Sequence, residues 1–416
     1  MAEKLPTEPY KGVRDFYPED MAVQQYIFDI WSQTAESFGF QRYDASVLEP
    51  SDMYKSKGAE NEELVNEQTY TFTDRGGREV TLRPEMTPTV ARMIAGKYKE
   101  LAFPARWYSI PNLFRYERAQ RGRVREHWQL NCDMFGSDDM AADVEMIALA
   151  HQILINFGAS EDMFEVRIND RKEMTAFYES IGITDPEIIT NLTRLNDRFH
   201  KISTDEYQAE LTKLAPEQAT QIFQFVSGAD DSSNELIKNL QNLGIANVRI
   251  DRSLARGFDY YTGVIFEIFD TDTNNNRSML GGGRYDNLTS LFTKEAIGGI
   301  GFGMGDVTMR DFLETHGLLP RLNKTAAVIV IPTESSYNLE AEKVAQSLRR
   351  INLAVMVDIS NRKLVKKIAN ADEVGAGYVL VVGEDEVSRN EFVLKNLADG
   401  TETSGTLEVL AERFSA

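Results

Sequence analysis

The sequence predicts an α+β protein in three parts: a region mixing helix and strand, a helical block set into it, and a small C-terminal α/β domain. Three observations predict this. Two short β-prone runs, Tyr70–Thr73 and Glu79–Leu82, flank Asp74-Arg75-Gly76-Gly77, a glycine-bearing reversal that reads as a hairpin. Between about residue 170 and residue 243 the pattern turns helical and strongly polar, and strand-like segments resume at Val248, so the block is inserted. Beyond Pro320, apolar runs at 326–331 and 378–382 bracket a helical period at 337–350, the alternation of buried strand and helix that accompanies parallel pairing.

In chain order, Asp20 is placed to cap an amphipathic helix with apolar positions Val23, Ile27, Ile30, Trp31, Ala35 and Phe38, ended by Gly39. After the hairpin comes Leu82-Arg83-Pro84-Glu85-Met86-Thr87. There Glu85 either stabilises the N-terminus of the next helix or forms, with Thr87, a polar pocket wall suited to an ammonium group.

Residues 113–135 hold an arginine-loaded loop between two segments of strand character, with five arginines from Arg115 to Arg125. In the second segment Trp128, Leu130, Cys132 and Met134 point one way and Gln129, Asn131 and Asp133 the other. On the first, Arg115 and Glu117 share a face, and Arg118, Gln120, Arg121, Arg123 and Arg125 follow in the loop. Such a concentration of positive charge suits phosphates.

Within the inserted block, segments 216–226 and 232–243 read as helices. Next, Arg256-Gly257-Phe258-Asp259-Tyr260-Tyr261 sets an arginine beside a glycine and paired tyrosines at a strand entry, where a guanidinium can approach a ligand between aromatic walls. Gly281-Gly282-Gly283-Arg284-Tyr285-Asp286 allows close backbone approach ahead of a helix. From Gly299 to Gly305 glycines alternate with Ile300, Phe302 and Met304, leaving one strand face bare. Four glycines weaken a strand, each by on the order of 0.5–1 kcal/mol relative to Ala, so a bare face reads as a floor for something flat. Asp306 then caps a helix through Phe312 and Leu313.

A chain of 416 residues is long enough for two or three domains with cores of their own. One cysteine, Cys132, excludes a disulfide framework, and four scattered histidines argue against structural zinc. The first residues lack an apolar signal core and no segment has the length of a membrane span, so a reducing, cytoplasmic setting without membrane contact is expected. The net charge of -20 argues against a nucleic-acid partner unless local fields overrule it. Basic residues do cluster at 115–125 and at Arg362, Lys363, Lys366 and Lys367, the latter readable as a solvated helix face.

Taken together, these segments resemble the histidyl-tRNA synthetase family of class II aminoacyl-tRNA synthetases. The resemblance runs from Lys11-Gly12-Val13-Arg14-Asp15-Phe16 through the C-terminal region. It is most specific at Phe114-Arg115-Tyr116-Glu117-Arg118-Ala119-Gln120, Leu82-Arg83-Pro84-Glu85, the Arg256 segment and Gly282-Gly283-Arg284-Tyr285-Asp286. It implies a catalytic domain at 1–169 and 244–320 with a mixed, mostly antiparallel sheet flanked by helices. A helical insertion at 170–243, an α/β anticodon-binding domain at 324–416 and a homodimer are implied as well.

The implied reaction activates L-histidine with ATP, accompanied by Mg2+, to histidyl-adenylate and passes the histidyl group to the 3′ end of tRNA(His). By that resemblance Arg115 and Arg256 are the catalytic arginines at the α-phosphate and the histidine carboxylate. Glu117 takes the adenine amino group, Arg123 the outer phosphates, and the glycine face including Gly303 and Gly305 lies beneath the nucleotide. Glu85, Thr87, Gln129 and Asp133 match the amino-acid pocket, Tyr261 and Tyr285 the residues around the imidazole, and Arg118 with Gln120 the tRNA acceptor end. No protein motif for a metal is present. An RNA partner makes Arg362 to Lys367 a candidate anticodon-side surface.

The class II pattern has an arginine where this chain has Thr308. Arg310 is two residues on, a turn of about 200° on a helix, so it is not a simple substitute unless a shifted helix start brings it closer; Arg121 or Arg123 is the other candidate to share that load. The alternative within the resemblance is the histidine-binding regulatory subunit of ATP phosphoribosyltransferase. Such chains typically lack the C-terminal domain and degrade the arginine–tyrosine motif, both of which are present here.

Overall fold

A computed structural model of the chain describes residues 4–55, 68–118, 122–228, 234–255, 260–275, 277–320 and 326–414. It divides into two compact units, Met1–Leu319 and Pro320–Ala416. In chain order the strands of the first are β1 (Gln41–Arg42), β2 (Leu48–Pro50), β3 (Tyr70–Thr73), β4 (Glu79–Leu82), β5 (Ala105–Ser109), β6 (Asn112–Phe114), β7 (Glu126–Phe135), β8 (Phe164–Asp170), β9 (Val248–Ile250), β10 (Val264–Asp270), β11 (Ser278–Tyr285) and β12 (Gly299–Gly305).

The central sheet runs β1-β5-β7-β12-β11-β10-β8-β9, with β6 also on β7. Its end pairs, β1 with β5 and β8 with β9, are parallel, and the pairs between them are antiparallel. The predicted hairpin is β3 and β4, joined by β2 in a small sheet.

Alternation explains the two faces. Leu130, Cys132 and Met134 of β7 and Ile300, Phe302 and Met304 of β12 point into the main core with Trp31, Ile147 and Ile153 from the helices Pro18–Ser37 and Met140–Asn156. The polar face of β7 is not a solvated face: Asn131 and Asp133 are also buried. They lie beneath a second cluster in which Val90, Ala91 and Ile94 of the helix Thr87–Lys97 meet Tyr260, Tyr261 and Tyr285.

Both predicted aspartate caps are corrected. The helix Pro18–Ser37 is entered from Tyr17, and Asp20, inside its first turn, accepts from Arg310 at 3.1 Å. The helix Asp306–Thr315 follows Gly305, and the buried Asp306 carboxylate instead accepts from Arg14 (2.7 Å), Gln24 (3.0 Å) and the Trp128 N–H (3.1 Å). In each case a long-range cation outcompetes the local helix end. Gly281 to Gly283 lie within β11 rather than ahead of a helix. Arg115 and Glu117 follow the end of β6 instead of sharing a strand face.

The helical block comprises Arg171–Ser180, Pro186–Asn196, Thr204–Leu214 and Ala219–Ser227. It has its own core of Met174, Tyr178, Leu192, Tyr207, Leu211 and Ile222. The next helix, Glu235–Asn242, packs Leu236, Ile237 and Leu240 on the main core instead.

In the second unit the strands are β13 (Val328–Pro332), β14 (Val355–Val357), β15 (Tyr378–Val382), β16 (Phe392–Asn396) and β17 (Glu402–Gly405), ordered β14-β13-β15-β16-β17. The predicted parallel pairing joins β13 to β15. Short runs did not signal β14, which is also parallel to β13, or β16 and β17, which add antiparallel pairs. Val328 and Val330 pack under the helix Asn338–Arg349, and Ile329 and Ile331 under Leu364–Glu373. Lys367 departs from the expected basic surface. It is buried, its ammonium donating to the carbonyls of Pro332 (3.2 Å) and Asp358 (3.1 Å), while Arg362, Lys363 and Lys366 are exposed. Among the described residues no helix is long and apolar enough to cross a membrane.

Candidate active site

The glycine face of β12 creates the site by omission. Asp133 pairs with Gly301 and Gln129 with Gly305 across β7 and β12, while Gly283 and Tyr285 pair with Gly301 and Gly299 from β11. A Cβ on Gly301 would collide with the Asp133 carboxylate and lie 2.7 Å from the Tyr285 hydroxyl; one on Gly303 would lie 2.7 Å from the Gln129 amide. These separations are shorter than any van der Waals contact. The face expected to be a bare floor is therefore covered in part by side chains from its neighbours, and Gly305 has the clearest space.

Two pockets that share lining residues lie on this face. The inner one, about 90 Å³, is lined by Glu85, Thr87, Arg115, Gln129, Asn131, Tyr260, Tyr261 and Tyr285 above Gly301 and Gly303. The outer one, about 280 Å³, is lined by Arg115, Glu117, Arg123, His127, Gln129 and Thr308 with Gly303 and Gly305. Arg115 and Gln129 line both, so a ligand group in one pocket can meet a ligand group in the other at these two side chains.

Glu85 precedes the helix Thr87–Lys97, whose N-cap is Met86, so it is not a cap. It is buried and accepts from the Tyr260 hydroxyl at 3.0 Å. Burial pushes its carboxyl up to about 7, against the opposing pull of Arg115 and Tyr260. Asp133 behaves likewise. Burial raises it to about 7, opposed by the Tyr285 hydroxyl that donates to its Oδ1, and its Oδ2 is buried without a hydrogen-bond partner. A buried polar atom left without a partner forgoes roughly 1–3 kcal/mol. Asp133 itself is not among the side chains that line the inner pocket; Tyr285, which donates to it, is.

Arg115 is fixed by donating from Nε to the Pro84 carbonyl at 2.9 Å and from its backbone N–H to the Arg125 carbonyl. In the outer pocket Arg123 and Glu117 form an ion pair at 3.5 Å, with Arg123 the more exposed. The Thr308 hydroxyl donates to the carbonyls of Met279 and Gly305, each at 3.2 Å. Arg310 is engaged elsewhere, by Asp20 and by Glu314 at 2.8 Å, so it does not stand in for an arginine at 308.

Sequence reasoning missed two lining residues. Alternation places Asn131 on a polar strand face and nothing more, yet it is buried and lines the inner pocket. His127 lines the outer pocket, and desolvation together with Arg115 and Arg14 lowers it to about 3, which keeps the imidazole neutral. Extending the alternation of Gln129, Asn131 and Asp133 back by two residues would have found it. Of the other candidates, Arg118 is exposed, while Gln120, Arg121 and Arg256 lie outside the described residues.

Among the described residues no three His, Cys, Asp or Glu side chains gather as a metal site. The carboxylates lining the outer pocket, Glu117 and Asp306, already face Arg123 and the Arg14–Gln24–Trp128 donors.

Comparison with known proteins identifies the family of both regions. Residues 12–306 match the family described as Histidyl-tRNA synthetase, and residues 327–416 the one described as Anticodon binding domain. The chain is 41% identical over 414 residues to a histidine--tRNA ligase of Leptospira biflexa, covering 95% of this chain and 94% of the relative. It is 38% identical over 424 residues to one of Thermoplasma volcanium, covering 96% of each. The crystal structure of histidyl-tRNA synthetase from Nostoc sp. PCC 7120 superposes with a TM-score of 0.83 at 26% identity over 99% of both chains.

Proposed function

The chain belongs to the histidyl-tRNA synthetase family, and on that premise we propose how its residues divide the work of joining histidine to tRNA(His). The observation that carries the division is the position of Arg115 on both pockets. Histidine occupies the inner pocket and ATP the outer one, so the amino-acid carboxylate and the α-phosphate meet at Arg115.

Activation requires a carboxylate oxygen to bond to the α-phosphorus while the bond from that phosphorus to the bridging oxygen of pyrophosphate breaks. The nucleophile is already ionised at neutral pH, so no general base is needed. The difficulty is bringing two anions together and stabilising the charge that develops on the phosphoryl group. Arg115 does this from one side and Arg256 from the other. Arg123 holds the outer phosphates, on which the leaving charge accumulates, and Glu117 accepts from the adenine amino group. Gly305 leaves the floor open beneath the nucleotide. Glu117 and Asp306 are already paired within the protein, so Mg2+ bound with the ATP substrate would supply neutralisation of phosphate charge without being held by these two carboxylates.

Selection of histidine follows from the inner carboxylates. Asp133 Oδ2 accepts from an imidazole N–H, with Tyr285 and Tyr261 along the ring. Glu85 with Thr87 and Gln129 receives the α-amino and carboxylate ends. An amino acid without a ring N–H leaves Asp133 buried and unpaired, and sites of this kind can discriminate by more than about 10⁴-fold.

In the second step a terminal ribose hydroxyl attacks the histidyl carbonyl and AMP leaves. Arg118 and Gln120 face that acceptor end, and residues 324–416, through Arg362, Lys363 and Lys366, bind the anticodon side. The working unit is a cytoplasmic homodimer. Histidine-dependent exchange of labelled pyrophosphate into ATP tests this assignment. Exchange should require histidine and collapse in Arg115→Ala, whereas a folded Arg115→Ala chain exchanging at the parent rate would refute it.

A further inference from the structure

The first residue of the helical block's first helix bonds to the backbone of a residue that lines the inner pocket. Arg171 opens the helix Arg171–Ser180, and its backbone N–H donates to the Gly263 carbonyl at 3.1 Å while Nη1 donates to the Tyr261 carbonyl at 3.1 Å. One side chain thus grips the residue that lines the inner pocket and packs 4.9 Å from Tyr260 and 6.5 Å from Tyr285, centroid to centroid.

The neighbouring residue repeats the link from the other side of Thr262. Lys172 Nζ lies 3.6 Å from the Asp286 carboxylate, which accepts from the Thr262 hydroxyl at 2.7 Å, and the Thr262 N–H donates to the Arg284 carbonyl at 2.7 Å. Arg284 is itself immobilised by two hydrogen bonds to Asp143. A cavity of about 250 Å³ adjoins this junction, lined by Asp170, Lys172, Glu173, Gly263, Val264 and Arg284. Among the described residues, Arg171 and Lys172 supply polar links between the block and the turn at 261–263 beside this cavity.

We infer that Arg171 is a positioning residue for the amino-acid pocket: through the Tyr261 carbonyl it couples the seating of the helical block to the aromatic wall against which the substrate side chain rests. This deepens the assignment of the inner pocket to histidine and rests on it. A guanidinium donating to a buried carbonyl is a charge-assisted bond. Its loss should show in the affinity for the amino acid and not in that for the nucleotide, whose pocket Tyr261 does not line.

The test is pyrophosphate exchange by the full chain with histidine and ATP each varied, for Arg171→Met, Arg171→Lys and Lys172→Met. Arg171→Met should raise KM for histidine by about tenfold, the equivalent of losing one charge-assisted hydrogen bond, and leave KM for ATP near the parent value. Arg171→Lys, which keeps a cationic donor, should recover most of the loss. Lys172→Met removes an exposed ammonium and is not expected to impair folding; it should raise KM for histidine by roughly two- to threefold. A folded Arg171→Met chain with unchanged KM for histidine overturns the inference, and so does an equal rise in both KM values. Should Arg171→Met not fold, an unaltered KM for histidine in Lys172→Met overturns it. Absence of histidine-dependent exchange in the parent chain would instead overturn the pocket assignment.

Discussion

Tyr285 donates its hydroxyl hydrogen to Asp133 at the spot a side chain on Gly301 would occupy. β11, β12 and β7 lie side by side, and the glycine in the middle strand lets a tyrosine from one neighbour reach a carboxylate from the other. Gly301→Ala should therefore act on both the sheet and the pocket. Overpacking a filled site costs about 1–3 kcal/mol, and displacement of Asp133 should raise KM for histidine by more than about tenfold. Thermal denaturation and pyrophosphate exchange with varied histidine check the two effects separately.

Burial raises both Asp133 and Glu85 to about 7 in the ligand-free protein. Each folded-state value lies above the unfolded one, near 4, so the stability these groups contribute is complete below that pH and is lost as pH rises through about 7. Tm of the ligand-free chain should fall between about pH 4 and about pH 7. Asp133→Asn should flatten that fall, and saturating histidine should too if, as proposed, its ammonium and imidazole N–H donors pair with the carboxylates. Histidine affinity, measured by calorimetric titration, should rise over the same interval.

Asp306 gathers Arg14, Gln24 and the Trp128 N–H on one buried carboxylate, joining the N-terminal segment to β7 and to the helix that follows the glycine strand. Asp306→Ala removes the shared acceptor and leaves a partly buried cation unpaired, which should cost on the order of 3 kcal/mol. Chemical denaturation with a fixed m-value would show it as a lowered midpoint.

Lys363 and Lys366 are exposed in the second unit, unlike the buried Lys367. Reversing both charges with Lys363→Glu and Lys366→Glu should weaken tRNA charging, with a KM for tRNA raised about tenfold and steeper at low salt. Pyrophosphate exchange without tRNA should stay at the parent rate. Equal charging by parent and variant would remove these lysines from the RNA-binding surface.

Local pattern made much of the fold legible. Alternation located β7 and the core side of β12, continuous apolar runs located β13 and β15, and glycine placement located the hairpin. What local pattern could not supply were partners far away in the chain. Asp20 and Asp306 sit where caps belong, but Arg310 and Arg14, 290 and 292 residues distant, claim them. Lys367 read as one of four surface cations because the carbonyls that bury it end two other segments. In the site, Glu85, Thr87, Arg115, Gln129, Tyr261 and Tyr285 were named from sequence and share one pocket. That the glycine face would be covered by Asp133, Tyr285 and Gln129 depends on strand order, which no single segment encodes.

The most direct measurement is a crystal structure of the chain with a non-hydrolysable histidyl-adenylate analogue. The expected complex has an imidazole nitrogen about 3 Å from Asp133 Oδ2, the α-phosphate mimic against Arg115 and the adenine beside Glu117. An imidazole bound in the outer pocket, with Asp133 Oδ2 still unpaired, would contradict the division of the site between amino acid and nucleotide.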